Sequence, residues 1–293
     1  MNDRLLFKPG HTACAGCGQA IAARIVIETA GPNTIIANNT GCLEVFTTRY
    51  PESAWNVPWI HSLFENAPAV ASGIEAALIY MGKKEGVNII AQAGDGGTAD
   101  IGLQALSGMW ERGQDILSIC YDNEAYENTG IQRSGATPYG TNTTTTPVGA
   151  KSTGNLRSKK NIPEIAVAHG IPYVATASVA FIQDLQRKVK KAISIKGSKY
   201  IQIHVPCPLG WRHQANETLL VAKLAVETGL YPLIEYENGN FLSCRKITPK
   251  PVEEYLKIQG RFKHLLNNPQ ELKKIQDIAD NNIKKYALKM ESQ

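Results

Sequence analysis

The sequence predicts an α/β protein in which helices flank a parallel sheet. Buried β-branched runs, at residues 87–94 (VNIIAQAG) and 116–123 (ILSICYDN), alternate with segments of helical length. The helix expected between them, at residues 100–112, directs Ile101 and Leu106 toward a core. This strand–helix–strand order is typical of proteins with a parallel sheet.

The other elements follow from apolar periodicity and from the Gly and Pro residues that end it. The first helix is expected at residues 19–29, before Gly31 and Pro32, and a β-branched strand follows at 34–38. A turn at Asn238 and Gly239 predicts a hairpin. The remaining helices are expected at residues 66–81, 162–169, 179–195 and 217–228, and the remaining strands at 172–175, 200–205, 232–236 and 241–245.

A long polar segment interrupts this pattern at residues 124–160, where Gly, Thr, Asn and Pro dominate. A loop of this length in a compact domain is usually functional or disordered. We expect residues 129–155 to cover the functional site or to meet a partner. We also expect one α/β domain over residues 1–215 and a partner-packing extension over 216–293, made of the hairpin and charged helices.

The composition narrows the class of protein. Of the 293 residues, 43% are hydrophobic and 19% are charged, as in globular rather than disordered chains. No apolar run reaches the roughly 18 residues of a membrane span, and the N-terminus lacks a signal-peptide core. We therefore expect a cytoplasmic protein without a membrane partner. The mild net charge of +5 gives little support for nucleic-acid binding.

Six cysteines in a reducing compartment favour metal binding or catalysis over disulfides. Four thiolates suit a 4Fe–4S cluster or a structural zinc ion, although a single CxxC is also explained by chance or by a redox pair. We expect Cys120, in an apolar strand, and Cys244, without a partner in sequence, to be structural. The other four lie at element ends beside Gly or Pro: Cys14, Cys17, Cys42 and Cys207.

A second group of polar residues follows the two buried strands. Gly94, Asp95 and Gly96 lie between a strand and a helix, where backbone amides favour a phosphate. The carboxylate suits a Mg²⁺ ion that bridges a diphosphate. Asn123 ends the next strand, and the carboxyl ends of parallel strands share one ligand-binding edge. Ordinary polar turns are the alternative, but the combination favours a thiamine diphosphate and Mg²⁺ site.

These motifs resemble the β subunit of pyruvate:ferredoxin oxidoreductase, within the multi-subunit 2-oxoacid:ferredoxin oxidoreductase family. The resemblance runs from about residue 11 to residue 211 and rests on HTACAGCG, GDGGTADIGLQALSGMWERG, YDNEAYENTGIQRSGATPYG and HVPCPLGW. It implies a thiamine diphosphate-binding fold, the diphosphate-binding module. It also implies oxidative decarboxylation of pyruvate with coenzyme A to acetyl-CoA and CO₂, in anaerobic metabolism, with electrons passed through a 4Fe–4S cluster to ferredoxin.

The resemblance assigns roles to single residues. Asn128 matches an asparagine that lies beside the thiazolium and the substrate, and Phe64 is placed more loosely near the thiamine ring. Some family members have threonine where this chain has Asn123, and either residue supplies an oxygen. The cluster ligands would be Cys14, Cys17, Cys42 and Cys207, with Cys42 also bordering the cofactor. The Mg²⁺ ligands would be the Asp95 carboxylate, the Asn123 side-chain oxygen and the Ala125 carbonyl, with Gly94 and Gly96 along the diphosphate.

The resemblance also implies a hetero-oligomer with α-, γ- and δ-type subunits. Thiamine enzymes need a glutamate to activate the aminopyrimidine ring, and the family supplies it from another subunit. Glu44, Glu65 and Glu75 are each explained by a helix face or a loop. No ferredoxin-type cysteine run is present, so we expect further clusters on another chain and no activity from this chain alone.

Other functions stay open at this point. The same chemistry on 2-oxoisovalerate, 2-oxoglutarate or oxalate fits the same framework. A thiamine diphosphate decarboxylase without redox chemistry would keep Asp95 and Asn123 but would not need the four cysteines. A zinc-stapled α/β scaffold without enzymatic activity would use only the cysteines.

Overall fold

A computed structural model describes residues 5–290. Ten strands lie in this part of the chain. In chain order they are β1 (Thr34–Asn38), β2 (Trp59–His61), β3 (Asn88–Gly94), β4 (Leu117–Asp122), β5 (Val148–Gly149), β6 (Ser152–Thr153), β7 (Tyr173–Ser178), β8 (Lys199–His204), β9 (Ile234–Glu237) and β10 (Asn240–Cys244).

The α-helices of the same residues range from one turn to almost five. None of those in residues 5–290 combines the length and the apolar character that a bilayer crossing needs. Two 3₁₀ segments, Ala215–Glu217 and Gly260–Leu265, accompany them. The helices are α1 (Gly18–Ala30), α2 (Cys42–Thr47), α3 (Ala67–Tyr80), α4 (Asp95–Ala99), α5 (Leu103–Glu111), α6 (Ile162–Ala168), α7 (Ile182–Ser194), α8 (Pro208–Trp211), α9 (Thr218–Glu227), α10 (Val252–Leu256) and α11 (Pro269–Lys285).

Eight of the strands form one sheet in the order β10-β9-β7-β8-β4-β3-β1-β2. The six strands from β7 to β2 are parallel to one another, whereas β9 is antiparallel to β7 and to β10. The predicted parallel α/β fold is therefore confirmed. Because β1, β3 and β4 are parallel neighbours, their carboxyl ends open onto a common edge.

Alternating strand residues serve two cores, one on each face of the sheet. Ile90 packs with the apolar faces of α1 and α7, whereas its neighbour Ile89 packs with α3, α5 and α6. Cys120 lies in the second core and is buried, so its predicted structural role is confirmed. Strands covered on both faces explain the continuous apolar runs in the sequence.

The segment after residue 215 is joined to the sheet by hydrogen bonds and by its own core. The predicted hairpin is β9 and β10, and β9 extends the sheet beyond β7. A third apolar cluster connects Trp211 with Val221, Phe262 and Leu288. The division at residue 215 stays a prediction, and the contacts across it are extensive.

One expectation about the helix after β3 is wrong. The helix expected at 100–112 is present as α5, but it begins only at Leu103, because the separate short helix α4 precedes it and the chain breaks at Asp100. A Cβ on Gly102 would clash with the Gly97 carbonyl, so the two helices approach closely at this glycine. The break shifts the helical phase, and Ile101 is 54% exposed instead of facing the core.

Glu235 ties β9 to the parallel sheet. Its buried carboxylate accepts hydrogen bonds from the Tyr173 hydroxyl on β7, at 2.6 Å, and from the Arg187 guanidinium on α7, also at 2.6 Å. Burial alone raises the pKa of Glu235, but the bonds from Arg187 and Tyr173 outweigh burial and lower the pKa to about 2. The charged carboxylate therefore stabilises the hairpin's attachment.

We predict that Glu235→Gln lowers the free energy of unfolding by about 2–3 kcal/mol near neutral pH, the range for hydrogen bonds to a buried charge. The folded pKa lies below the ordinary value of 4.5, so this contribution is full above that value and is lost as the pH falls toward 2. Urea unfolding near neutral pH and at about pH 3 measures it. The two proteins should converge at low pH, and a constant difference would contradict the prediction.

Candidate functional site

The residues predicted to bind the cofactor converge in one cleft at the carboxyl edge of the sheet. The cleft is open to solvent on one side and, with that open space included, measures about 610 Å³. The ends of β1, β3 and β4 and the starts of α2 and α4 contribute to its walls. Its lining includes every residue assigned to the cofactor from the sequence: Cys42, Phe64, Gly94, Asp95, Gly96, Asn123, Ala125 and Asn128.

Three oxygen-bearing groups meet on the floor of this cleft. Asp95 begins α4 and is 1% exposed, and its Oδ2 accepts a hydrogen bond from the Ser134 hydroxyl. One end of the Asn123 side-chain amide lies 2.7 Å from Asp95 Oδ1 and 2.8 Å from the Ala125 carbonyl oxygen. A nitrogen at that position would donate to both. With oxygen there, three oxygens face one another, an arrangement that a hard cation makes favourable.

The electrostatics of Asp95 also fit a cation. Burial, followed by the charge of Asp122, raises the pKa of Asp95 well above its usual range, although the Ser134 hydroxyl opposes this. A bound divalent cation would oppose the effects of burial and of Asp122 on this pKa, because its positive charge stabilises the charged form of the buried carboxylate.

An aromatic pair forms one side of the cleft. The rings of Phe64 and Tyr126 stack with their centroids 5.7 Å apart, and the Tyr126 hydroxyl donates to Asp100 Oδ2 at 3.0 Å. A Cβ on Gly96 would clash with the Tyr126 ring, so this glycine is required where the backbone meets the ring. Asn128 lies at the mouth and is exposed.

Three of the four predicted cluster cysteines lie at the start of a helix. Cys17 precedes α1, Cys42 is the first residue of α2, and Cys207 precedes α8. The Gly210 amide donates to Cys207 Sγ at 3.4 Å. Amide groups at a helix start favour a thiolate over a thiol.

The four cysteines are electrostatic neighbours of one another. Burial first, then Cys17, Glu127 and Cys14, raise the pKa of Cys42 to about 12. Burial likewise raises the pKa of Cys17 and of Cys207, and Cys42 adds to the rise at Cys207. Asp95 also raises the pKa of Cys42, so the cysteine group borders the cofactor cleft. Such thiols become thiolates when a positively charged metal centre joins them.

Close backbone contact brings the CxxC turn to Cys207. The Gly18 amide donates to the Pro206 carbonyl at 3.2 Å, and a Cβ on Gly18 would lie 2.8 Å from that oxygen. Gly16 has a φ of +73°, and a Cβ there would clash with the Ala215 carbonyl. The two glycines therefore let the turn lie directly against the segment that carries Cys207.

Within residues 5–290, no three His, Cys, Asp or Glu side chains are spaced to hold a single metal ion. A 4Fe–4S cluster binds its four thiolates through four different irons, so they stand farther apart than the ligands of one ion. The residue type of the four cysteines, the partial burial of Cys17, Cys42 and Cys207, and the amide donors to Cys17 and Cys207 fit such a cluster.

The remaining candidates lie outside the cleft. His61 forms a hydrogen bond with the Thr40 hydroxyl at 2.8 Å. Glu44, Glu65 and Glu75 do not line the cleft, and Glu75 accepts a hydrogen bond from the Asp115 amide at 2.7 Å. Cys244 packs against the C-terminal apolar cluster.

Comparison with known proteins places the chain in a family. The family described as thiamine pyrophosphate enzyme, C-terminal TPP binding domain, matches residues 39–203. The pyruvate synthase subunit PorB of Methanosarcina barkeri is 58% identical over 95% of this chain and 96% of its own length. The chain belongs to the PorB family of pyruvate synthase subunits.

Two further proteins are similar to this chain. The ketoisovalerate oxidoreductase subunit VorB of Pyrococcus abyssi is 51% identical to this chain, over 88% of the chain and 86% of VorB. The fold also matches a solved structure of the 2-oxoglutarate:ferredoxin oxidoreductase from Magnetococcus marinus, with a TM-score of 0.60 and 20% sequence identity. The match covers 76% of this chain and 80% of the matched chain. That likeness concerns the fold alone, and it agrees with the predicted thiamine diphosphate-binding fold.

Sequence reasoning missed several residues around the site of this PorB-family chain. Ser134 lies in the polar loop, but it is buried and donates to Asp95, so this part of the loop supports a residue that lines the cleft. Burial raises the pKa of Glu127, beside the cysteines, to about 7. Ser134 and Trp211 stand in motifs that carried the family resemblance. No sequence pattern indicated Arg261, whose guanidinium binds the buried Glu124 carboxylate beside the cleft.

We predict that Gly18→Ala destabilises the chain by about 1–3 kcal/mol, although alanine favours helices, because its methyl group would press on the Pro206 backbone. Gly73→Ala is the matched control, since a Cβ there meets open space on α3, and it should stabilise by about 0.5–1 kcal/mol. Urea unfolding compares the two. Equal stability of both variants would show that the CxxC turn does not need this contact.

Proposed function

We propose that this chain is the β subunit of a pyruvate:ferredoxin oxidoreductase, a pyruvate synthase of the EC 1.2.7.1 type. The reaction is the oxidative decarboxylation of pyruvate with coenzyme A to acetyl-CoA and CO₂, with electrons passed through a 4Fe–4S cluster to ferredoxin. The observation that carries the proposal is one cleft in which the Asp95 carboxylate, the Asn123 side-chain amide and the Ala125 carbonyl converge beside Cys42. Membership of the PorB family supports pyruvate as the substrate.

Thiamine diphosphate and Mg²⁺ would occupy the cleft. The Asp95 carboxylate, the Asn123 side-chain oxygen and the Ala125 carbonyl would hold Mg²⁺, with Gly94 and Gly96 along the diphosphate. When bound, thiamine diphosphate supplies the electron sink for decarboxylation. The chain's own part is to orient the diphosphate on the start of α4, to exclude water with aromatic rings, and to offer the Asn128 amide to the substrate at the mouth.

Cys14, Cys17, Cys42 and Cys207 would hold the 4Fe–4S cluster. When bound, the cluster accepts electrons one at a time. The amide of Gly210 and those at the start of α1 would stabilise the thiolates and tune the potential. Because Cys42 borders both groups of ligands, electrons would have a short path out of the cofactor site.

Partner subunits would complete the site in the cytoplasm. The mouth of the cleft is open beside the exposed Asn128, and Leu63 and Ile60 expose apolar side chains near the edge strand β2. We propose that α-, γ- and δ-type subunits cover this mouth, supply the activating glutamate and carry further clusters, so that the β chain is inactive alone. That residues 216–293 pack on a partner belongs to the same proposal.

A second substrate is supported by the VorB relative, which is named as a subunit of a ketoisovalerate oxidoreductase. The experiment that separates the two is a coenzyme A-dependent assay of the anaerobically purified complex across pyruvate, 2-oxoisovalerate, 2-oxoglutarate and oxalate. We expect kcat/KM to be highest for pyruvate. A higher value for 2-oxoisovalerate would reassign the substrate, and no coenzyme A-dependent activity on any of them would refute the proposed function.

We predict that Asp95→Ala lowers the affinity of the assembled complex for thiamine diphosphate by at least about 100-fold in the presence of Mg²⁺. The reason is that it removes the buried carboxylate on which the cation depends. Calorimetry measures the affinity. Asp115→Asn, at the amino end of β4 and outside the cleft, is the control and should bind normally. Undiminished binding by Asp95→Ala would refute the metal assignment.

We predict that Cys207→Ala loses the cluster, whereas Cys244→Ala keeps it. Both side chains are thiols that pack against the same apolar cluster, but only Cys207 is a neighbour of Cys17 and Cys42. Iron per chain and visible absorbance after anaerobic purification measure the outcome. Full iron content in Cys207→Ala, or a colourless zinc-containing protein in the wild type, would contradict the assignment.

A further inference from the structure

The turn that carries the proposed magnesium ligands has an unusual backbone. Asn123, Glu124 and Ala125 directly follow β4, and Glu124 has a φ of +65°, in the left-handed region that residues other than glycine rarely adopt. Such a conformation persists only where surrounding contacts fix it. Among the contacts that fix this turn, two come from Trp211 and from Arg261, the latter in the C-terminal segment.

One contact is a buried ion pair. Arg261 Nη2 donates to Glu124 Oε2 at 2.6 Å, and the two residues are 2% and 4% exposed. Lys159 Nζ binds the other carboxylate oxygen at 2.8 Å. The Glu124 side chain is therefore held from both sides. The Thr137 hydroxyl donates to the Glu124 carbonyl at 2.6 Å and fixes the backbone of the same residue.

The other contact passes through an aromatic ring. The guanidinium carbon of Arg261 lies 3.6 Å from the centre of the Trp211 ring, and Trp211 Nε1 donates to the Asn123 carbonyl at 2.8 Å. Arg261 is itself fixed, because its Nε donates to Gln259 at 2.9 Å and its Nη2 donates to the Tyr255 hydroxyl at 3.1 Å. One guanidinium thus reaches the turn by two separate routes.

We propose that Arg261 is a positioning residue for the metal–diphosphate turn. It holds Glu124 and Trp211, and through them it keeps the Asn123 side chain and the Ala125 carbonyl facing Asp95. The inference rests on the proposed function and deepens it, because it brings the C-terminal segment into the cofactor site. Lysine cannot replace this arginine fully, since only a planar guanidinium both stacks on the indole and donates in several directions.

The experiment compares Arg261→Met and Arg261→Lys in the assembled complex, loaded with thiamine diphosphate. The Kd for Mg²⁺ is measured by titration, and Mn²⁺ in place of Mg²⁺ reports the ligand geometry by its electron paramagnetic resonance spectrum. We expect Arg261→Met to weaken Mg²⁺ binding by about 10-fold or more, as loss of a supporting contact does. It should also change the Mn²⁺ spectrum, and Arg261→Lys should fall between Arg261→Met and the wild type.

Lys199→Met is the matched control. Lys199 is 3% exposed and pairs with Asp115 at 2.6 Å, so its loss also breaks a buried ion pair. This pair lies at the amino end of β8, away from the turn. It should lower the Tm while leaving the Kd for Mg²⁺ and the Mn²⁺ spectrum unchanged. A purely structural role for Arg261 would make the two variants behave alike.

Three outcomes would overturn the inference. They are wild-type Mg²⁺ affinity and Mn²⁺ spectrum in folded Arg261→Met, equal loss of affinity in Lys199→Met, and a wild-type complex that binds no metal with thiamine diphosphate. The last would refute the proposed function as well, so the two failures are distinguishable. If Arg261→Met does not fold, Trp211→Phe removes the hydrogen bond to Asn123 and keeps a smaller aromatic ring for Arg261 to stack on, and unchanged Mg²⁺ affinity in that variant would overturn the inference.

Discussion

The buried carboxylate of Asp95 is the constraint around which the site is arranged. A charged group without access to water is unfavourable unless partners compensate it. Within residues 5–290, the Ser134 hydroxyl is the side-chain donor that reaches Asp95, and Asp122 nearby adds a like charge. A cation among the oxygens of Asp95, Asn123 and Ala125 would resolve this imbalance. The sheet edge, the polar loop and the C-terminal segment all serve to keep those oxygens together.

Much of this arrangement could be predicted from the sequence, because it follows from periodicity and chain order. The apolar runs of β3 and β4 indicated parallel neighbours, and parallel neighbours place Asp95 and Asn123 at one edge. Ile101 was misplaced because a break between two short helices has no signature in apolar spacing. Arg261 was missed for a related reason, since a buried ion pair between residues distant in sequence leaves no local pattern.

Three of the four predicted cluster cysteines, like Asp95, lie where burial disfavours their charged form. Burial raises the pKa of Cys17, Cys42 and Cys207, so in an empty site these thiols would stay protonated at neutral pH. The amide groups at the helix starts stabilise the thiolates, but they offset only part of the free-energy cost of burying a charge. A positively charged metal centre and four thiolates would therefore assemble together, with release of protons.

The cofactor region gathers residues from almost the whole length of the chain, from Cys14 to Arg261. During synthesis the N-terminal part emerges from the ribosome first. Cys14, Cys17 and Cys42 would therefore be outside well before β8 delivers Cys207, and Arg261 would follow later still. The complete site therefore cannot form before the segment that carries Arg261 has been synthesised. Loss of a C-terminal segment that includes Arg261 would leave a chain with all four thiols, but with a poorly held metal–diphosphate turn.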